Sequence, residues 1–206
     1  NEVIEVGKIK VKVMPVDHDA YGACGLLIET PDLVISYTGD IRLHGYRKDA
    51  TLNFCKESEN CDVLLIEGVS VSFQDFDEVR EDEISNEPEL IEKINEIVKE
   101  NPNKQITFNY YISNIERILN IIKTNPRKVA LSAYYSYVLK EATGYESYYY
   151  SLDNKDYELN KDLEIEFERL LNDERDFFWQ LDTLAIKYID KLQEGGIYIH
   201  SNAVPL

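Results

Sequence analysis

Residues 105–132, QITFNYYISNIERILNIIKTNPRKVALS, decide how the second part of this chain is read. Gln105–Tyr110 is rich in β-branched and aromatic side chains, which suit a pleated, packed strand. Ser113-Asn114-Ile115-Glu116 has the form of a capping box, and Ile115, Ile118, Leu119 and Ile122 recur behind it at helical spacing. Lys128–Ser132 follows almost at once as a second strand. A strand, a helix and a strand joined by short connections predict a parallel sheet with crossover helices.

Working outward, Pro88 suits the first turn of a helix capped by Ser85 or Asn86 and carrying Leu90, Ile91, Ile94, Ile97 and Val98. Downstream, helices are expected near Leu163–Leu171 and Leu184–Leu192, with a last strand at Ile197–His200 after Gly195-Gly196. The tyrosine-rich Tyr145–Tyr150 reads as a short edge strand packed on one face rather than as a base-stacking platform. The first seventy residues read as strands at Glu2–Val6, Lys8–Val16, Gly25–Glu29, Leu33–Tyr37 and Val63–Ile66, with no long helix among them. The fold class is therefore α/β, with one domain over residues 1–72 and a second over residues 73–206.

Apolar residues make up 44% of the chain and aromatics 11%, enough to bury a core. The formal charge is −17, which excludes a protein whose whole surface coats a phosphate backbone. Both parts share the acidity: residues 1–72 hold 7 basic and 12 acidic side chains, residues 73–206 hold 15 and 27. No run of 18 apolar residues occurs, and the N-terminus lacks a basic segment followed by an apolar one, so neither a membrane span nor a signal peptide is expected and the cytoplasm is the expected compartment. Cys24, Cys55 and Cys61 are odd in number and never spaced as Cys-x-x-Cys. They are read as small buried hydrophobes, not as a disulfide framework or a thiolate zinc site.

Two segments depart from what core-building needs. Val16-Asp17-His18-Asp19-Ala20-Tyr21-Gly22-Ala23 places an imidazole between two carboxylates at a strand exit, a common way to fix a histidine for metal ligation. Tyr37-Thr38-Gly39-Asp40-Ile41-Arg42-Leu43-His44-Gly45 presents a carboxylate at the exit of another strand. Singly, His18 reads as a hydrogen-bonded loop residue, Asp40 as a turn residue and His44 as a surface side chain. Together, an imidazole and a carboxylate that each follow a strand are compatible with convergence on one edge of a β-sandwich.

These two segments, followed by Leu65-Ile66-Glu67-Gly68, resemble the middle of a metallo-β-lactamase-fold hydrolase of the β-CASP branch, which includes ribonuclease J and the cleavage and polyadenylation nucleases. Ile112-Ser113-Asn114-Ile115-Glu116-Arg117-Ile118 and Arg127-Lys128-Val129-Ala130-Leu131-Ser132 resemble the helix start and strand of that branch's inserted domain. The resemblance covers about residues 10–132. It implies part of a metallo-β-lactamase β-sandwich followed by a β-CASP-type parallel α/β domain. It also implies His18 and Asp40 as metal ligands, with Asp40 bridging two zinc ions, manganese being an alternative ion, and Glu67 as an acidic motif residue of the site.

The branch's His-x-His-x-Asp-His run does not occur in this chain, nor do its later histidine motifs. His200, the remaining histidine, reads as a strand-end side chain, and Val69 stands where relatives often carry Thr. The chain is thus expected to be a fragment of a longer enzyme and inactive alone, because two ligands do not close a zinc site. In the longer protein the expected activity is hydrolysis of a phosphodiester in RNA or single-stranded DNA, without membrane association and with a homodimer left open. Asp40, Glu67 and His44 are the expected catalytic group. Arg42, beside Arg47 and Lys48, is expected to meet substrate phosphate, as are Ser113, Asn114 and Arg117 at a helix start. The competing readings are a non-catalytic binding or regulatory module, and a hydrolase of the same fold acting on something other than nucleic acid.

Overall fold

The computed structural model describes residues 2–68, 84–181 and 185–201. The chain divides into two compact units, Asn1–Leu90 and Ile91–Leu206. Val69, the expected boundary at residues 72 and 73, and residues 202–206 lie outside the described residues.

In the first unit, β1 (Glu2–Val6), β2 (Ile9–Pro15), β3 (Cys24–Glu29), β4 (Val34–Tyr37) and β5 (Val63–Leu65) form one sheet in that order. Every neighbouring pair is antiparallel except β4 and β5. Gly7, at φ 64°, makes the tight turn between β1 and β2 that a side chain would strain. These strands match the expected ones to within a residue or two at each end. The expectation of no helix here is corrected, because α1 (Lys48–Glu57) lies across the sheet. Its pattern was weak: only Thr51 and Phe54 are buried, and Leu52 faces outward.

The strand period of two gives the sheet two unlike faces. On one, Met14, Val16 and Leu27 pack around Phe54 of α1. Gly25 lies beneath that ring, where a Cβ would come within 2.6 Å of it. At the rim, Lys12 Nζ donates to Glu57 Oε2 at 2.7 Å, and that hydrogen bond and charge hold the Glu57 carboxyl below its usual range.

The other face is almost wholly apolar. One row runs Ile4, Val11, Ile28, Ile35, Val63, each opposite the next, and a second runs Val13, Leu26, Tyr37, Leu65. Yet Ile4 is 45% exposed, Val63 39% and Leu65 51%, so water reaches a surface whose composition is that of a core.

α2 (Glu87–Glu100) begins in the first unit and continues into the second. Glu89 N–H donates to Asn86 Oδ1 while Ser85 N–H donates back to Glu89 Oε2, each at 3.0 Å, so the expected cap is present in reciprocal form. In the second unit β6 (Ile106–Asn109), β7 (Lys128–Ser132), β8 (Tyr148–Tyr150), β9 (Phe177–Gln180) and β10 (Ile197–His200) form a sheet ordered β10-β6-β9-β7-β8. Every pairing in it is parallel, as the alternation of elements predicted.

The crossovers carry α3 (Ile115–Thr124), α4 (Ala133–Thr143) and α5 (Phe167–Leu171). The segment expected as a helix near Leu163–Leu171 is a 3-10 turn, Lys161–Leu163, followed by the shorter α5. The one expected near Leu184–Leu192 is a 3-10 helix, Ile186–Lys191. Neither α4 nor β9 stood out in the sequence. α4 buries Ala133, Ser136 and Leu139, a stripe too small and polar to read as apolar. β9 is four residues long and comes directly after the charged Asp173-Glu174-Arg175-Asp176.

Even so, β9 is central. Trp179 and Tyr150, both wholly buried, pack edge-to-face at 5.8 Å on one side of the sheet, and Phe178 stacks on Phe108 at 4.2 Å on the other. Tyr149 and Tyr150 are thus core residues rather than a stacking platform.

Phe54→Ala should cost the first unit about 3–5 kcal/mol, because it empties the only large side chain that α1 sets between itself and the sheet. Urea unfolding followed by far-ultraviolet circular dichroism measures this, with Trp179 fluorescence reporting the second unit separately. A loss below about 1 kcal/mol would show that α1 does not depend on Phe54.

Candidate functional site

The pairing pattern settles which strand ends lie together. β2 and β4 both run antiparallel to β3, and β5 runs parallel to β4, so β2, β4 and β5 leave the sheet at the same end. Their exits carry His18, Asp40 and Glu67 respectively. The topology thus brings the three residues to one end of the sheet.

Main-chain bonds hold the three exits together. Thr38 N–H donates to the Leu65 carbonyl at 3.0 Å, and Arg42 N–H donates to the Asp17 carbonyl at 2.8 Å. Glu67 Oε1 accepts the Ile41 N–H at 2.9 Å, so this carboxylate fastens the residue next to Asp40. Gly39 has φ 56°, and a Cβ there would sit 2.9 Å from the Cys24 carbonyl, so only glycine lets this loop lie so close to β3.

Asp17 organises the remainder. It is 0% exposed, and every polar atom it has is used: its N–H donates to Thr51 Oγ1 at 2.7 Å, while Oδ1 and Oδ2 accept from Arg42 Nε at 3.2 Å and Gly45 N–H at 2.8 Å. Arg42 then reaches the buried Glu87 through Nη1 at 3.0 Å. A Cβ at position 45 would run into the Asp17 carboxylate and the Arg42 guanidinium, which explains the glycine after His44.

The structure therefore gives Arg42 a different use from the expected contact with substrate phosphate. Its guanidinium is buried between two carboxylates, because two desolvated acids need a cation more than an exposed loop does. Arg47 of the same basic cluster lies over the Tyr21 ring at 5.9 Å. His44 is exposed, and its carbonyl accepts the Glu87 N–H at 2.9 Å.

His18 is half-buried. Its Nδ1 accepts the Ala20 N–H at 3.2 Å and lies 3.0 Å from Asp19 Oδ1. Asp19 is thus the carboxylate beside the imidazole, and Asp17 points inward. Asp40 is exposed at the loop tip. Among the described residues no three His, Cys, Asp or Glu side chains group closely enough to hold a metal ion. An imidazole and a carboxylate on one edge are half of what zinc takes, so this chain by itself does not fit the ion.

In the second unit, Asn114 caps α3 through Oδ1, which accepts the Arg117 N–H at 3.2 Å. Arg117 Nη1 donates to the Ser201 carbonyl, just beyond β10, and Ser113 is exposed. The expected phosphate seat is thus largely taken up by the protein's own groups. His200 Nδ1 lies 3.5 Å from the Tyr198 hydroxyl at the strand end, as the sequence suggested. The cysteines are free. Cys24 and Cys55 are exposed, a correction to the buried reading: Cys24 pairs with Pro15 on the apolar sheet face and Cys55 lies on the outer side of α1. Thr51 and Glu87 escaped notice because each is an ordinary polar residue in sequence, and Asp17 stood out only as a carboxylate beside His18, not as the buried partner of Arg42. Gly45, so close after the Asp40 loop, was the one available hint.

No protein-family model matches the chain, and no curated protein matches it. A solved structure, that of a protein of unknown function from Enterococcus faecalis V583, is similar, with a TM-score of 0.90 and 45% identity. The match covers 97% of this chain and 47% of that one, so this chain spans about half the length of that protein. No helix among the described residues is long and apolar enough to cross a membrane.

Two outcomes follow from this geometry. Zinc should bind this chain with a dissociation constant of about micromolar or weaker, and calorimetry showing a tight one-to-one complex retained against a chelator would contradict the half-set of ligands. Arg42→Ala should cost about 3–5 kcal/mol in chemical denaturation by leaving the Asp17 carboxylate buried without the guanidinium that meets it. Arg42→Lys should recover little of it, since one ammonium cannot reproduce the forked contact.

Proposed function

We propose that this chain is part of a metal-dependent phosphodiester hydrolase of the metallo-β-lactamase fold, β-CASP branch, with RNA or single-stranded DNA as substrate. The observation that carries the reading is the common exit of β2, β4 and β5. Three bonded loops bring an imidazole, a carboxylate and a fastening carboxylate to one end of a sheet. The apolar sheet face supports it independently. A face bearing Ile4, Val11, Ile28, Ile35 and Val63 in one row is what a second sheet packs against in a sandwich.

In the longer protein His18 and Asp40 would join ligands from residues outside this sequence to hold the metal. Bound there, zinc or manganese would supply an activated water and charge stabilisation. The chain's own residues do the positioning. Gly39 brings Asp40 close to β3, Glu67 holds the Ile41 amide, and the Asp17–Arg42–Glu87 triad keeps the loop from relaxing. Such fastening matters because a misplacement of about 1 Å can cost about a hundredfold in rate.

The test is hydrolysis of a short single-stranded RNA or DNA by the longer protein with zinc or manganese. Asp40→Asn keeps the shape of an exposed loop residue but removes its charge, and should lower turnover by several orders of magnitude. His44→Ala should lower it by about ten- to a hundredfold. Equal rates for the parent and Asp40→Asn would remove Asp40 from the mechanism. Absence of activity on any phosphodiester would replace the enzyme with a binding module.

A further inference from the structure

β7 and β9 are neighbours in the second sheet, yet the chain leaves them in opposite directions: β7 leads to β8 at one edge and β9 leads to β10 at the other. Parallel strands that part in this way open a crevice at their carboxyl ends, which is where α/β sheets take their ligands. Ser132 ends β7 and Gln180 ends β9, so both stand at that parting.

The groups there are joined but not all used. Gln180 is wholly buried, and its Oε1 accepts the Ser132 N–H at 3.1 Å. That bond pins the amide to the start of α4, since Ser132 is the residue at the capping position of this helix. The other end of the amide, Nε2, is buried and has no partner among the described residues. A buried donor left unmet is costly, and the few that a fold keeps call for a reason.

Tyr110 supplies a second donor of the same kind. Phe108 lies opposite Gln180 in the pairing of β6 with β9, so alternation puts Phe108, Tyr110, Phe178 and Gln180 on one face. The rings agree: Tyr110 stacks on Phe108 at 6.0 Å, and Phe108 on Phe178 at 4.2 Å. Tyr110 also meets Tyr135, in the first turn of α4, edge-on at 5.4 Å. It is 1% exposed, and its hydroxyl has no partner among the described residues. Burial pushes that hydroxyl well above the usual tyrosine range, so it keeps its proton to donate.

α4 brings the third element. It is eleven residues long, Ser132 gives it no side-chain cap, and the amides of its first turn lie at its positive end. The surface is one residue away, because Tyr111 and Tyr134, which follow Tyr110 and Ala133, are exposed. The two unmet side-chain groups are donors, the helix end is electropositive, and none of them carries a full charge. Such a seat fits an acceptor with one negative charge, whereas a second charge would be desolvated with no cation to offset it.

We propose that the parting of β7 and β9 binds a singly charged oxyanion, a phosphodiester or a carboxylate, held by Gln180 Nε2, the Tyr110 hydroxyl and the first turn of α4. The assignment does not rest on the hydrolase reading, because all of these residues lie in the second unit.

The experiment titrates the isotopically labelled 206-residue chain with dimethyl phosphate, with acetate and with sulfate, following backbone and side-chain amide resonances. The expected result is a saturable shift of the Gln180 side-chain amide and of the backbone amides of Ala133, Tyr134 and Tyr135 with at least one of the two monoanions, which identifies the source, and weaker binding of sulfate. Tyr110→Phe deletes one hydroxyl and keeps the ring, and Gln180→Glu keeps an oxygen to meet Ser132 while turning the donor into an acceptor. Each should weaken binding by about tenfold or more, while Lys123→Ala on α3 leaves it unchanged. The amide spectrum shows whether the variants stay folded, and if Gln180→Glu does not, Tyr110→Phe decides alone. No saturable shift at α4 with either monoanion, tighter binding of sulfate, or an affinity that survives Tyr110→Phe overturns the proposal.

Discussion

A single buried carboxylate governs the first unit. Asp17 sits at the end of β2 with no exposure, and its bonds to Thr51, Arg42 and Gly45 join α1, the Asp40 loop and the turn after it. Burying an anion is tolerable only when every lone pair is met, so the position of each partner is dictated by the others. Arg42 carries the constraint onward to Glu87 at the first residue of α2. The exposed Asp40 is therefore carried on a loop anchored at two points, by Glu67 next to it and by Asp17 behind it.

The contrast between Asp17 and Asp40 explains why the sequence was partly legible. Both follow an apolar strand, and both looked like candidate groups beside a metal. What separates them is the direction each takes after its strand, which depends on partners 25 to 34 positions away in the chain. Strand positions, set by local alternation and β-branched residues, were readable to within a residue or two. So was the parallel second sheet, because its helices alternate with strands at short intervals. Side-chain partnerships across long separations leave no local trace, and Arg42 was accordingly read as a substrate contact when it is the cation of a buried triad.

The elements that were missed share a physical cause. α1, α4 and β9 draw their stability from tertiary contacts rather than from local pattern. α1 hangs on Phe54, α4 on a narrow stripe of small residues, and β9 on neighbours that surround its four residues from both sides. Local propensity is a weak prior in such cases. Arg127 shows the same dependence: its guanidinium donates to the carbonyls of Asn101 and Lys104, ordering the turn before β6, while burial draws its pKa down and Asp173 and Asp176 oppose that.

The apolar face of the first sheet, exposed among the described residues, bears on how copies of this chain behave toward one another. Rows of Ile, Val and Leu open to water are adhesive, and β1 beside them is an edge strand among the described residues, a template for any strand that approaches. Opposing both is the charge of −17, which keeps like chains apart over a distance set by the ionic strength. At about 0.1 M salt that reach shrinks to about 10 Å. Colloidal stability of the chain is thus a contest between a short-range attraction fixed by the fold and a long-range repulsion fixed by the buffer. Added salt, which leaves the buried Asp17 triad nearly untouched, weakens the repulsion alone.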